Sequence, residues 1–120
     1  DKHIDFNQYR YNLKIQSRNT TAAVSNPDQE WIDWSVLKGK YLEIRLWRNG
    51  DLFQPLGMSG HQKISDFLIN EKIDRFTKEN QAVVLANGEI FWVCGHRIAD
   101  WVKTKPSTIE SAQLSRVQLN

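Results

Sequence analysis

The chain has 120 residues, and its 16 basic and 14 acidic side chains leave a net charge of only +2 at neutral pH. This length suits one domain with a buried core. The sequence has no apolar run of about eighteen residues, so we expect no membrane span, and it has no charged-then-apolar leader, so we expect no signal peptide. Bulk charge is too weak to indicate nucleic-acid binding, so any phosphate-binding surface must come from clustered basic residues.

The first third of the chain predicts a strand, a loop and a short turn or helix. Apolar and polar residues alternate over residues 9–15, the two-residue period of a half-buried strand. Residues 17–30 are polar and turn-rich, which indicates a loop that contains at most a short strand at 22–24. Residues 30–40 favour a brief helical or turn segment that ends at Gly39.

The middle of the chain predicts a strand, an irregular loop and a helix. Residues 41–47 alternate again and end at Asn49-Gly50, a turn pair. After the loop, apolar residues recur at helical spacing over residues 63–70, and this short helix must depend on tertiary packing. Thr77 is a candidate N-cap for a following turn.

The strongest local signal is a hairpin in the last third. Residues 82–85 and 89–93 flank Asn87-Gly88, the pair typical of a type I′ turn because both of its residues accept positive φ. Weak alternation over residues 108–119 predicts an edge strand. Several strands with one firm helix indicate the α+β class, as a single domain over residues 1–120 with mostly antiparallel strands and one or two short helices.

One cysteine and the first residue bear on the cellular context. Cys94 has no partner for an internal disulfide, so we expect a reducing, cytoplasmic compartment. The chain begins at Asp1 without an initiator Met, as expected for a segment of a longer protein.

The segment from residue 45 to residue 67 carries most of the candidate binding chemistry. Its candidate phosphate ligands, together with one from a later segment, are Arg45, Arg48, Lys63 and Arg97. Guanidinium groups hold phosphates through two parallel hydrogen bonds, whereas a Lys ammonium acts as a point charge. The alternative is that these are solvated or salt-bridged surface charges. The residues predicted to shape the loop are Gly50, Asp51, Pro55, Gly57 and Gly60. Asp51 either orients an arginine or fixes the turn through the backbone.

Catalysis and metal binding are poorly supported. His61, Cys94 and His96, with His3 as a fourth ligand, lack the paired close spacing of a zinc site, so no metal is predicted. No nucleophile elbow surrounds Ser59, so we predict no catalytic residue in this segment. The aromatic residues could stack on unpaired bases or simply pack in the core: Trp47, Phe53, Trp92 and Trp101.

Positions within residues 31–103 match the pattern of a known family: Arg45, Trp47, Gly50, Asp51, Phe53, Pro55, Gly57, Met58, Gly60, Lys63, Asp66, Phe67, Leu68, Ile90, Trp92, Gly95 and Arg97. With these residues, the segment resembles the C-terminal domain of bacterial tRNA(Ile)-lysidine synthetase. The loop departs from the pattern at His61 and Gln62, where further basic residues are frequent, so it is less cationic than in the family.

The resemblance implies a compact α+β module, related in fold to part of the beta subunit of phenylalanyl-tRNA synthetase. It implies contact with the acceptor stem of tRNA(Ile), while an N-terminal catalytic domain of the same chain uses ATP and lysine to convert the wobble cytidine to lysidine. The ATP-binding loop of that domain, SGG-x-DS, is absent here, so no cofactor is expected in this segment. The rival interpretation is a docking module for interdomain or homodimer contacts, which a patch of exposed tryptophans would favour.

Overall fold

The computed structural model describes residues 1–16 and 26–119, so the short strand considered at residues 22–24 lies outside the described residues. The chain folds as two compact units. Unit 1 comprises Asp1–Lys40 and Val102–Asn120, and unit 2 comprises Tyr41–Trp101.

Unit 1 is built on four strands, which are β1 (Lys2–Phe6), β2 (Tyr9–Gln16), β3 (Gln29–Asp33) and β10 (Ser111–Gln118). They form an antiparallel sheet in the order β1-β2-β10-β3. The predicted alternation over residues 9–15 is confirmed as β2, which buries Tyr11 and Leu13 on one face. The preceding strand β1 has no clear signal in the sequence; a tight turn joins it to β2 through Asn7 and Gln8, both with positive φ.

The C-terminal strand occupies a different place from the one predicted. The alternation over residues 108–119 predicts an edge strand, but β10 lies between β2 and β3, with Gln113 opposite both Lys14 and Trp31. Ala112 and Leu114 are its buried apolar residues. The prediction is wrong because both neighbours come from the other end of the chain, which a local pattern does not reveal.

The segment predicted as a turn or helix over residues 30–40 is divided between two structures. It begins within β3, and only Trp34–Val36 forms a 3₁₀ turn. The buried Asp33 carboxylate caps this turn, because its Oδ1 accepts hydrogen bonds from the Ser35 N–H (3.0 Å) and hydroxyl (2.6 Å). Its Oδ2 accepts a hydrogen bond from the Thr108 hydroxyl at 3.1 Å, so this one side chain joins distant parts of unit 1.

The elements of unit 2 are β4 (Leu42–Leu46), β5 (Leu52–Phe53), β6 (Gln62–Lys63), α1 (Ile64–Asn70), α2 (Arg75–Glu79), β7 (Ala82–Ala86), β8 (Glu89–Val93) and β9 (Arg97–Ile98). Four strands form an antiparallel sheet in the order β4-β7-β8-β9, and β5 and β6 form a small two-stranded sheet. The predicted hairpin is confirmed as β7 and β8, and Asn87 and Gly88 have φ of 48° and 83°.

Helix α1 agrees with the sequence pattern in position, whereas helix α2 begins before its predicted cap. Helix α1 has Lys63 at its N-cap and buries Ile64, Phe67 and Leu68, as predicted. Helix α2 is capped by Asp74, whose carboxylate accepts hydrogen bonds from the Thr77 N–H at 2.9 Å and hydroxyl at 2.8 Å. The prediction of Thr77 as the cap is therefore wrong, because an acidic side chain three residues earlier takes that position.

The α+β class with mostly antiparallel strands is confirmed. The centre of unit 2 lies along β7 and β8, where Val83, Phe91, Trp92 and Val93 are almost fully buried. Cys94, which directly follows β8, is also fully buried. Within the described part of the chain, neither helix approaches the length and apolarity that a membrane span requires.

Candidate nucleic-acid interface

Hydrogen bonds of Asp51 hold the loop between β4 and α1 in place. The Asp51 N–H donates a hydrogen bond to the carbonyl oxygen of Arg48 at 3.1 Å. The Asp51 carbonyl oxygen accepts one from the Ile64 N–H at 2.9 Å. These two backbone bonds connect the turn after β4 to the first residue of α1.

The side chain of Asp51 makes a second set of connections, to Arg45. The Arg45 Nη1 and Nη2 atoms donate to the two Asp51 carboxylate oxygens at 2.9 and 3.0 Å, a bidentate pair. The same carboxylate accepts the Arg48 N–H at 2.8 Å. Both alternatives considered for Asp51 are therefore realised together, because it orients an arginine and also fixes the turn.

The Arg45–Asp51 pair is largely withdrawn from solvent, with side-chain exposures of 17% and 13%. Burial by itself would raise the pKa of Asp51, but the hydrogen bonds from the Arg45 guanidinium and the Arg48 N–H outweigh it and lower that pKa. The hydrogen bond to Asp51 in turn raises the pKa of Arg45. Both members are charged at neutral pH, and their charges cancel.

The same loop carries two of the predicted phosphate ligands, Arg48 and Lys63, and both side chains are exposed to solvent. Lys63 lies opposite Leu52 in the β5–β6 pair and makes no side-chain capping bond to α1. Within residues 1–16 and 26–119, neither cationic side chain belongs to an ion pair. They are therefore available to an anionic partner, whereas Arg45 already faces a carboxylate.

The fourth predicted ligand, Arg97, is half-buried on β9 and lies against apolar groups. Its guanidinium carbon lies 5.5 Å from the centre of the Phe67 ring, and its Nη1 lies 4.0 Å from the Sδ atom of Met58. The spacing of Phe67 indicates only a core residue, and no signal in the sequence shows that it also supports Arg97.

The second half of the loop is held beside β9. Pro55 is fully buried and pairs with Ala99 in an isolated bridge. The Gly57 N–H donates to the Asp100 carboxylate at 3.1 Å. This attachment explains how Met58, in the loop, comes to lie beside Arg97.

A cleft of about 310 Å³ opens next to the loop in unit 2. Its lining residues are Arg45, Gly50, Asp51, Leu52, Phe53, Gln54, His61, Gly88, Glu89, Ile90 and Trp101. Of the four predicted phosphate ligands, the cleft includes Arg45 alone. The structure thus separates Arg45, in the cleft wall, from Arg48 and Lys63 on the exposed part of the loop.

The three loop glycines have different conformations. Gly50 and Gly57 have φ of +94° and +81°, where a side chain is strained. The φ of Gly60 lies outside this region, and a Cβ added there would meet no heavy atom within 4 Å. Two of the three glycines are therefore required by the backbone, and Gly60 is not.

The aromatic residues are mostly engaged in packing. All five tryptophans lie in the described part of the chain, and none of them is exposed. The Trp47 Nε1 donates to the Lys78 carbonyl oxygen at 2.7 Å, and the Trp101 Nε1 donates to that of Ile90 at 3.2 Å. The His96 ring packs edge-on against Phe67 with their centres 6.4 Å apart. No group of three or more His, Cys, Asp or Glu side chains is placed to hold a metal ion among the described residues.

Comparison with known proteins identifies relatives over most of the chain. The family model of the TilS substrate C-terminal domain matches residues 42–115. A tRNA(Ile)-lysidine synthase of Caldanaerobacter subterraneus subsp. tengcongensis is 34% identical over 79 residues, which cover 66% of this chain and 17% of that protein. The enzyme of the same name from Clostridium acetobutylicum is 36% identical over 70 residues, covering 58% and 15%. The chain thus spans less than a fifth of the length of these relatives.

A solved structure shows the same fold. The crystal structure of a TILS C-terminal domain superposes with a TM-score of 0.79 and covers 95% of this chain and 87% of that one. At 22% identity, this likeness concerns the fold alone.

The two conformational classes of loop glycine can be separated by mutation. We expect Gly57→Ala to lower the free energy of unfolding by about 1 kcal/mol, because its positive φ strains a side chain. Gly60→Ala is the matched control, and we expect it to leave stability unchanged or slightly raised. Urea unfolding at neutral pH measures both, and equal destabilisation by the two variants would contradict this account.

The Arg45–Asp51 pair predicts a particular pH dependence. Because the pKa of Asp51 is lowered on folding, the pair stabilises the fold above the ordinary carboxyl pKa of 3.8, and this contribution is lost as the pH falls through the lower folded value. We expect Asp51→Asn to reduce the free energy of unfolding by about 1–3 kcal/mol at neutral pH.

The deficit of Asp51→Asn relative to the wild type should be constant above about pH 5 and shrink in more acidic solution. Asp66→Asn, which changes an exposed carboxylate in α1, should alter stability by only about 0.5 kcal/mol. Unfolding curves over a pH series test this, and a deficit that stays constant down to about pH 2 would contradict it.

Proposed function

Because the chain belongs to the family of the TilS substrate C-terminal domain and is similar to tRNA(Ile)-lysidine synthases, we propose that it binds tRNA(Ile) and does not itself catalyse the modification. One observation supports the proposal most strongly. Arg48 and Lys63 lie exposed on a loop of unit 2 that hydrogen bonds hold in place, and Arg97 on β9 packs against Phe67.

The chemistry of these residues suits a folded RNA. Helical regions of tRNA have the A-form, which proteins recognise largely by shape and through phosphate and 2′-hydroxyl contacts. The guanidinium groups of Arg48 and Arg97 can each hold a phosphate through two hydrogen bonds, and the Lys63 ammonium adds a mobile point charge. A few cations on a rigid loop are sufficient for this mode, so a net charge of +2 does not oppose it.

In the proposed division of labour, this segment binds the body of the tRNA and another domain catalyses the modification. We place the contact on the acceptor stem, which would hold the distant anticodon in register with an N-terminal catalytic domain of the same chain. ATP and lysine would be used by that domain, in the cytoplasm. This division is supported by the small share of the relatives that the chain spans, 17% and 15% of their lengths.

The alternative function is a docking module for interdomain or homodimer contacts. A contiguous patch of exposed tryptophans would have favoured it, but the tryptophans are buried or partly buried and two of them donate hydrogen bonds within unit 2. This distribution favours RNA binding over docking.

The first test is the salt dependence of tRNA(Ile) binding. If Lys63 neutralises about one phosphate, Lys63→Ala should weaken binding and reduce the slope of log affinity against log salt by roughly one. Lys14→Ala, which removes an exposed lysine from β2 in unit 1, is the charge-matched control and should leave the slope unchanged. Normal affinity and slope for Lys63→Ala would reject the phosphate contact.

The second test addresses the division of labour. We expect the chain, mixed with ATP, lysine and tRNA(Ile), to support no exchange of pyrophosphate into ATP beyond a protein-free control, because its sequence lacks the SGG-x-DS loop. Exchange that rises with protein concentration would place the chemistry in this segment and overturn the assignment.

A further inference from the structure

We propose that Arg45 and Asp51 form a positioning pair, which holds the loop in the conformation that presents Arg48 and Lys63 to RNA, and that Arg45 itself contacts no phosphate. This inference rests on the proposed function, because it names the residues that act indirectly at the same site.

The geometry places Asp51 between the backbones of both candidate ligands. Its carboxylate accepts the Arg48 N–H at 2.8 Å, and its own N–H donates to the Arg48 carbonyl oxygen at 3.1 Å. Its carbonyl oxygen accepts the N–H of Ile64, the residue directly after Lys63, at 2.9 Å. A shift of Asp51 therefore moves the backbone at or next to each candidate ligand.

Arg45 fixes Asp51 from the neighbouring strand β4. Its guanidinium holds both carboxylate oxygens, and Nη1 also donates to the Leu46 carbonyl oxygen at 3.0 Å. These bonds fix the orientation of the carboxylate, and in that orientation its Oδ2 also accepts a hydrogen bond from the Arg48 N–H. Two parallel bonds to a planar guanidinium specify direction in a way that a Lys ammonium does not.

The charge of the pair argues against direct phosphate contact. A guanidinium paired with a carboxylate carries no net charge, and the carboxylate repels an approaching phosphate. Arg48 and Lys63 are exposed and, in the part of the chain that the structure describes, belong to no ion pair. Within this loop, the attraction for RNA therefore comes from these two residues, while the pair supplies geometry.

Binding measurements distinguish this role from direct contact. We expect Arg45→Gln and Asp51→Asn each to weaken tRNA(Ile) binding, on the order of fivefold. In an Arg48→Ala/Lys63→Ala background, neither change should weaken binding further, because a positioning residue acts through those side chains. Tighter binding by Asp51→Asn, or an undiminished loss for Arg45→Gln in that background, would show direct contact by Arg45 and overturn the proposal.

A conservative variant supplies a second control. Arg45→Lys keeps the positive charge but not the two parallel bonds, so we expect its tRNA affinity to remain reduced, with a salt slope near that of the wild type. Complete recovery of affinity by Lys would contradict a geometric role. Circular dichroism at the assay temperature corrects each affinity for the folded fraction, so that general loss of stability is not mistaken for loss of positioning.

Amide hydrogen exchange tests the pair without RNA. The Arg48 and Ile64 N–H groups should exchange about tenfold faster in Arg45→Gln and in Asp51→Asn through local opening of the loop. The Val83 N–H, buried in the centre of unit 2, exchanges through global unfolding and therefore measures the separate loss of overall stability. Unchanged exchange at Arg48 and Ile64 would overturn the inference whatever the RNA result. Faster exchange combined with unaltered tRNA affinity in Arg48→Ala/Lys63→Ala would instead reject the proposed function.

Discussion

The bidentate bond between Arg45 and Asp51 is the constraint on which the loop of unit 2 depends. A loop between a strand and a short helix has many conformations, and ordering each residue requires about 1–2 kcal/mol of conformational entropy. Asp51 offsets this by joining β4, the turn at Arg48 and the start of α1 at one residue. Both members of the pair also line the cleft beside the loop.

The charged side chains at the loop of unit 2 fall into two groups, one paired and one exposed. Arg45 and Asp51 are paired and mostly withdrawn from water, so they contribute to architecture and little to the surface potential. Arg48 and Lys63 are exposed, and they give the loop its positive character. Since partly buried pairs are screened by salt much less than exposed charges, the Arg45–Asp51 pair should hold the loop at ionic strengths that screen the charges of Arg48 and Lys63.

Features encoded by neighbouring residues could be predicted from the sequence, and features that depend on distant residues could not. The Asn87-Gly88 turn and the spacing of Ile64, Phe67 and Leu68 identified the hairpin and α1, because each signal is complete within a few residues. The position of β10 depends on pairing across most of the chain. Likewise, the sequence shows that Arg45 and Asp51 are close, but only the fold shows that they bind each other.

The central position of β10 has a consequence for biosynthesis. The sheet of unit 1 requires residues from both ends of the chain, whereas unit 2 is a continuous segment between them. During synthesis on the ribosome, unit 2 can fold as soon as it emerges, but β2 and β3 must wait with unpaired edges until the last strand arrives. Exposed strand edges promote aggregation. A stalled or prematurely ended translation product would therefore carry a folded unit 2 attached to an incomplete, aggregation-prone sheet.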